Sequence, residues 1–187
     1  MSARRLPLLL VAFLAACGGT SNEVHGSYKG QSLDVSDATL MPVQGNDGSE
    51  VSVVVFETES NACGFLQSRA VNNSRLVTVA LAIVSPEGML VPPTAAGSYE
   101  IAAPRFLKAG TKLAAVHFGV FGACGDGTGG DAVSGSVHVT HVQLDGAEVV
   151  QSLAGTFEAT FDTGEKFSGN FQVSRCAGAR IIYGICR

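Results

Sequence analysis

The sequence of 187 residues predicts an all-β domain, either an antiparallel β-sandwich or a flattened β-barrel of about eight or nine strands. Two observations support this prediction. Short apolar runs recur along the chain, and turn-forming residues, including many of the 23 glycines, separate them. In the last third of the chain, apolar and polar residues alternate with the period of two that a strand requires. We expect one short helix, near residues 62–70.

The last third of the chain shows the alternation most clearly. Three successive segments each place their apolar residues on one side, namely Val137 and Val139, then Phe157, Ala159 and Phe161, then Phe167, Phe171 and Val173. Turn sequences at 144–146 and 162–164 separate the segments. This pattern predicts a three-stranded antiparallel meander with one apolar face.

The middle of the chain carries longer apolar runs at 51–56, 76–84 and 113–121. Such runs indicate strands that are buried on both faces. A helix is the alternative at 76–84, but the β-branched residues and the short length favour a strand. Helical spacing occurs at 62–70, where Phe65 and Leu66 recur with Arg69 and Ala70.

A loose pattern of Gly, small polar residue, aromatic residue or Val, and polar residue occurs five times. It begins at Gly26, Gly97, Gly135, Gly155 and Gly169. The spacing is irregular, which excludes a solenoid repeat. We interpret each copy as the start of a strand, with the glycine in the preceding turn.

The first residues resemble an export signal. Arg4 and Arg5 precede an apolar run from 6 to 16, which is shorter than the roughly 20 residues that span a bilayer. The run ends in Leu14-Ala15-Ala16-Cys17, which resembles the lipobox of bacterial lipoproteins. The resemblance implies cleavage before Cys17 and acylation of that residue. The alternative is an ordinary secretory signal, with Cys17 as a further thiol. We therefore expect a signal peptide at 1–16, a lipid-anchored tether at 17–25 and one β domain at 26–187.

Four cysteines remain after Cys17 is assigned to lipid, namely Cys63, Cys124, Cys176 and Cys186. An even number of cysteines in an exported chain favours two disulfides, and three pairings are possible. One disulfide with two free thiols is the first alternative, and a metal site is the second. No Cys-x-x-Cys pair occurs, so the spacing does not resemble a zinc ribbon or a thioredoxin-type site.

The body of the chain resembles a group of uncharacterised lipoproteins, many of them from myxobacteria. The shared motifs are a Gly-x-x-x-Gly hairpin at 26–30, Asn-Ala-Cys-Gly at 61–64, Gly-Ser-Tyr at 97–99, Gly-Ser-Val-x-Val at 135–139, Gly-x-Phe-x-Ala-x-Phe-Asp at 155–162 and the cysteine at 176. The resemblance implies a β-rich surface or periplasmic lipoprotein and carries no known activity. The extension at 177–187 lies outside the pattern, and its apolar run at 181–185 is interpreted as an added edge strand.

The chain offers few residues with recognisable chemistry. Asp162-Thr163-Gly164 matches the triplet of aspartic proteases, but that chemistry needs two such loops, so a hairpin turn is favoured. His138 and His141 lie three apart on a predicted strand and are expected to face opposite sides. A metal site could instead combine His117 with one of the two, but packed or solvent-facing histidines are favoured.

Two glycine-rich acidic segments are candidates for calcium loops. Asp126 and Asp131 lie in the first, at 123–131 within the loop 122–134, and the second is 45–50 within the loop 44–50. Neither has the spacing of an EF-hand, and we interpret both as exposed loops that could contact a partner. We predict no catalytic residues, no metal and no cofactor.

The acidic balance, 12 Lys and Arg against 16 Asp and Glu, argues against a nucleic-acid partner. We expect a non-enzymatic binding or structural domain, held to a membrane by acyl chains on Cys17, with an unknown envelope protein or ligand as its partner. The alternatives are an envelope hydrolase with dispersed catalytic residues and a carrier that holds a small ligand inside a barrel. Gly18 stands after Cys17 where an inner-membrane retention signal has Asp, which favours the outer membrane, on its periplasmic or its surface face.

Overall fold

A computed structural model describes residues 22–45, 47–68, 74–101, 108–122 and 127–179 of this chain. The elements in chain order are β1 (Glu23–Tyr28), β2 (Gln31–Ser32), β3 (Asp37–Gln44), β4 (Glu50–Glu57), α1 (Ala62–Ser68), β5 (Arg75–Val84), β6 (Leu90–Val91), β7 (Gly97–Ile101), β8 (Lys112–Phe121), β9 (Gly127–Leu144), β10 (Val150–Phe161) and β11 (Lys166–Ser174). The all-β class and the single short helix are therefore confirmed for the described residues.

The strands form one sheet in the order β2-β1-β11-β10-β9-β7-β8-β5-β4-β3, with β6 beside β5. Neighbouring strands are antiparallel except for the parallel pair β7 and β8. At the far end of this order, β3 returns to the chain that follows β11. Leu40 bridges Arg175 there, and the Cys176 amide donates to the Leu40 carbonyl at 2.8 Å. The sheet thus curls back on itself, as a flattened barrel requires.

The predicted strands that fall within the described residues are present, and the predicted edge strand at 181–185 lies outside those residues. The meander of the last third is β9-β10-β11, and the long apolar runs are β4, β5 and β8. The helix α1 covers 62–68, and the rest of its predicted range lies outside the described residues. Two expectations need correction. Residues 127–134 belong to β9 rather than to a loop, and residues 23–25 belong to β1 rather than to the tether.

Aromatic rings fill the interior of the barrel. The buried rings of the main core are those of Tyr28, Phe56, Tyr99, Phe118, Phe157, Phe161, Phe167 and Phe171. Neighbouring rings pack at 5.1 to 5.9 Å between centroids, distances typical of stabilising aromatic pairs. Burial raises the pKa of the Tyr99 hydroxyl to about 12, and this hydroxyl donates to the Ala95 carbonyl at 3.3 Å.

A second, smaller apolar cluster lies on the outer face of β3, β4 and β5, beneath α1. Its buried members are Met41, Val53, Val55, Leu66, Leu76 and Phe121, and Ala179 packs against them. The strands β4 and β5 are therefore apolar on both faces, because one face lines the barrel and the other supports the helix. This explains the continuous apolar runs in the sequence.

The repeated glycines lie inside strands, with Gly97 at the first position of β7, so the prediction that they precede strands is wrong for the other four. In the β10–β11 pair, Gly155 lies opposite Phe171, and Phe157 lies opposite Gly169. A Cβ on Gly169 would meet the Glu23 carbonyl and the Phe157 ring, so the missing side chain leaves room for the ring. Two copies of Gly-x-Phe thus interlock across an antiparallel pair, which lets large rings fill a narrow barrel.

Candidate functional site

The predicted lipid-bearing residue, Cys17, lies outside the described residues. Asn22, just before β1, accepts through its side-chain carbonyl a hydrogen bond from the Gln172 backbone amide at 2.8 Å. The chain then continues directly into β1 and pairs with β11. A segment of only five residues, 18–22, therefore separates the predicted anchor from the barrel.

Two of the four candidate cysteines form a disulfide. Cys63 in α1 bonds to Cys176 after β11, with 5.5 Å between their Cα atoms, and the bond joins positions 113 residues apart. The helix is positioned from its first turn. The Asp37 carboxylate accepts from the Ala62 amide at 2.8 Å, and the Asn61 side chain accepts from the Gly64 amide at 3.1 Å. Cys124 and Cys186 lie outside the described residues.

His117 and Asp131 form the one histidine–carboxylate pair that crosses between strands in the described part of the chain. They are opposite each other on β8 and β9, and 2.9 Å separates His117 Nδ1 from Asp131 Oδ1. Such a contact orients the ring and leaves Nε2 for another partner. The Nε2 atom of His117 lies beside Gly119 and Gly129. A Cβ atom on either glycine would come within 3.1 to 3.4 Å of it, so the glycines leave room for the imidazole ring. No Ser, Thr or Cys among the described residues hydrogen-bonds to Nε2, so the pair lacks the nucleophile of a catalytic triad.

The other histidines are dispersed. His138 and His141 were expected on opposite faces of one strand, yet both are exposed. The register of β9 against β10 shifts between Val139 and His141, so a β-bulge at Thr140 resets the alternation. His138 Nδ1 lies 3.2 Å from the Ser98 hydroxyl. No group of three His, Cys, Asp or Glu that could hold a metal occurs within the described ranges, and Asp126 lies outside them.

Asp162-Thr163-Gly164 forms the turn between β10 and β11, in agreement with the turn interpretation. The chemistry of this turn resides in Glu165, which the sequence analysis did not single out. Its carboxylate accepts from the Lys29 amide at 2.6 Å, the Gly30 amide at 3.2 Å and the Thr163 hydroxyl at 2.8 Å. These hydrogen bonds lower the pKa of Glu165, and the bond from the Lys29 amide has the largest effect. Glu165 therefore ties the β1–β2 turn to the β10–β11 turn.

The outer face of β9, β10, β11 and β1 carries two adjoining depressions of about 370 and 330 Å³. Glu158 and Ser168 line both of them, and His25, Thr156 and Asn170 line the first. We call this surface the polar face. Its side chains are hydroxyls, amides and single charges, so it can offer many hydrogen bonds to a partner and little apolar contact.

A different surface lies across β4, β5, β6 and β8. A cleft of about 190 Å³ is lined there by Val51, Ala80, Leu81, Ala82, Leu90, Leu113, Ala114 and Ala115. We call it the apolar cleft. It continues the outer cluster beneath α1, because Val51 and Ala80 pack against that cluster as well. Ala80 and Ala115 lie opposite each other on β5 and β8, and their small side chains leave the surface concave there.

The most unusual titratable group is Glu57, the last residue of β4. Its side chain is fully buried under α1, and neither carboxyl oxygen has a hydrogen-bond partner in the described structure. Desolvation, helped by the nearby charge of Glu59, raises the pKa of Glu57 from 4.5 to about 8. The buried hydroxyl of Ser74 lacks a partner in the same part of the structure. Glu57 therefore holds its proton at neutral pH. Glu57 lines neither the polar face nor the apolar cleft.

Comparison with known proteins gives no match, whether with protein-family models, with curated proteins or with solved structures. Within the described residues, no helix has the length and apolar character needed to cross a membrane.

Proposed function

We propose that this chain is an exported, lipid-anchored protein of the cell envelope whose β domain binds a partner or supports the envelope without catalysing a reaction. The disulfide between Cys63 and Cys176 is the observation that carries the proposal. Disulfides persist in oxidising compartments outside the cytoplasm, which is where a lipobox at Cys17 would send the chain. The two features are independent, because one comes from the first residues and the other from the fold.

The packed interior places any binding role on the outside of the barrel. Rings occupy the central space that a small ligand would need, which argues against the carrier alternative for the described part of the barrel. The hydrolase alternative rests on His117 and Asp131. It predicts that His117→Gln abolishes hydrolysis of an ester or peptide substrate while the fold is retained. A panel of such substrates with no His117-dependent turnover argues against it.

Lipidation is tested on protein recovered from the envelope of a bacterial host. Intact mass spectrometry should show a chain that begins at Cys17 and carries acyl groups, and a clickable fatty acid should label it. Cys17→Ser should abolish the label, whereas the matched variant Cys186→Ser should keep it. An unmodified N-terminus at any other residue would contradict the proposal.

The second cysteine pair follows from the first. Because Cys63 pairs with Cys176, the two-disulfide hypothesis leaves Cys124 with Cys186. Peptide mapping of the unreduced mature protein should recover both cross-linked peptides, and titration after denaturation should find no free thiol. Two free thiols per chain would support one disulfide only.

The polar face is the proposed partner surface. A photo-reactive residue at Ser168, between the two depressions, should cross-link an envelope component in intact cells. The same residue at the exposed turn position Ala147 is the control. Equal or absent cross-linking at both positions would remove the polar face from consideration.

A further inference from the structure

Glu57 lies on the outer face of β4, on the side that α1 covers. Val53 and Val55, four and two residues before it, belong to the outer cluster beneath α1, and so does Leu76, its partner on β5. Because alternate residues of a strand share a face, the Glu57 side chain points toward the underside of α1. This side chain is fully buried, and neither of its oxygens has a hydrogen-bond partner in the described structure.

The charged groups around Glu57 do not compensate a negative charge. Asp37 lies directly opposite it on β3, Glu59 is exposed just beyond the end of β4, and α1 carries no charged residue. Arg175 is directed instead to a backbone carbonyl at the start of β10, at 3.4 Å, and Arg69 lies outside the described residues. An ionised Glu57 would be a buried, unpaired charge, so desolvation, and then Glu59, raise the pKa of Glu57 from 4.5 to about 8.

The helix over Glu57 is short and is held by few contacts. With seven residues, α1 is too short to be stable as a helix without the barrel. Leu66 packs into the outer cluster, the Asp37 carboxylate accepts from the first amide of the helix at 2.8 Å, and the Gln67 side chain donates to a carbonyl after β11 at 2.6 Å. The disulfide at Cys63 would keep a detached helix beside the barrel. The helix can therefore open and close again while the sheet stays folded.

We propose that α1 is a pH-gated cover, which closes over the protonated Glu57 side chain and opens when Glu57 loses its proton. In the closed state the carboxyl is buried, and in the open state water solvates the carboxylate. A rise in pH therefore shifts the equilibrium toward the open state. Opening uncovers the outer cluster, including Met41 and Val55, and this surface adjoins the apolar cleft through Val51 and Ala80. This inference does not depend on the proposed lipid anchor or on the polar face.

Hydrogen exchange of the disulfide-intact full chain between pH 5 and pH 8 measures the opening of α1. After division by the intrinsic rate of a free amide, exchange of the peptide covering 62–68 should rise by roughly 100-fold or more over this range. The reason is that each pH unit between the open and closed pKa values of Glu57 favours the open state about tenfold. Glu57→Gln should abolish the rise, whereas Glu59→Gln, the matched control at an exposed position, should keep it. Thermal unfolding checks that both variants stay folded, and the wild-type series is informative without them.

Oxidation by hydrogen peroxide reports which surface the opening uncovers. Met41 lies in the outer cluster and is 2% exposed, whereas Met89 lies outside this cluster and is 40% exposed. Met89 therefore serves as a reference within the same chain. Relative to Met89, conversion of Met41 to its sulfoxide should be about tenfold or more faster at pH 8 than at pH 5. Glu57→Gln should remove this difference.

Three results would overturn the inference. The first is a peptide covering 166–174, in β11, that exchanges at the same corrected rate as 62–68 at every pH, because the proton would then leave by unfolding of the whole chain. The second is a rise in exchange at 62–68 that persists in Glu57→Gln, which would assign the opening to another group. The third is oxidation of Met41 that stays equally slow at both pH values, which would mean that the outer cluster remains covered.

Discussion

The buried carboxyl of Glu57 predicts a specific dependence of stability on pH. In the folded chain its pKa is raised to about 8, first by desolvation and then by Glu59, whereas the unfolded value is 4.5. Between these two values the folded state binds a proton that the unfolded state has released. The contribution of Glu57 to stability is therefore complete below about pH 4.5 and is lost as the pH rises toward 8.

The magnitude follows from the shift. A shift of roughly 3.5 pH units, at about 1.4 kcal/mol per unit, corresponds to about 5 kcal/mol between the two limits. Structural relaxation reduces this figure, so we expect a loss of roughly 3–5 kcal/mol between pH 4.5 and 8.5. That loss is comparable with the whole stability of many domains.

Urea unfolding of wild type and Glu57→Gln, with the disulfide intact, measures the effect at a series of pH values. The variant carries a neutral group at all pH values. It should match the wild type within about 1 kcal/mol at pH 4.5 and exceed it by roughly 3–5 kcal/mol at pH 8.5. Glu158→Gln, at an exposed position of β10, should keep the wild-type pH dependence. Parallel pH curves for wild type and Glu57→Gln would refute the reasoning.

Two further predictions concern the scaffold. Replacing Cys63 and Cys176 together by serine should lower the free energy of unfolding by about 4–5 kcal/mol, because the lost bond closes a loop of 113 residues; an unchanged denaturation midpoint would contradict this. Gly169→Ala should destabilise by about 1–3 kcal/mol, since its Cβ would meet the Glu23 carbonyl and the Phe157 ring. Gly146→Ala, where a Cβ meets nothing within 4 Å, should change the melting temperature little.

The strands were the part of the fold that the sequence could predict. Alternation places Val137 and Val139 on the inside of β9, and both are fully buried. Continuous apolar runs marked β4 and β5 as buried on two faces, which is correct because α1 covers one of those faces. Both signals depend on local periodicity, and periodicity is a property that a single sequence displays directly.

The interlocked glycines and the bulge could not be predicted, because they depend on how strands pair. The pattern Gly-x-Phe appears in the sequence, but its meaning depends on the register that sets Gly155 opposite Phe171. Likewise, strict alternation predicts that His138 and His141 face opposite sides of β9. A bulge at Thr140 inserts one residue between them, and both side chains are exposed. Register is a long-range property, and a shift of one residue reverses every side chain that follows.

The surroundings of Glu57 and Glu165 could not be predicted for the same reason, because they depend on segments that are distant in the sequence. A glutamate at the end of a strand is normally exposed, and both residues occupy such positions in the sequence. One becomes fully buried because a helix attached through Cys63 covers it, and the other binds the turn of a distant hairpin through the Lys29 amide.

These features are distributed unequally between the two ends of the barrel. Glu165 ties together the β1–β2 and β10–β11 turns at one end, and α1 follows the end of β4 on that same side. The other end, where β3 and β5 finish, carries exposed Val43 and Met89 instead. The polar face runs along the side of the barrel between these two ends. We have proposed the polar face as the partner surface for this reason, because the interior of the barrel is already filled by its own rings.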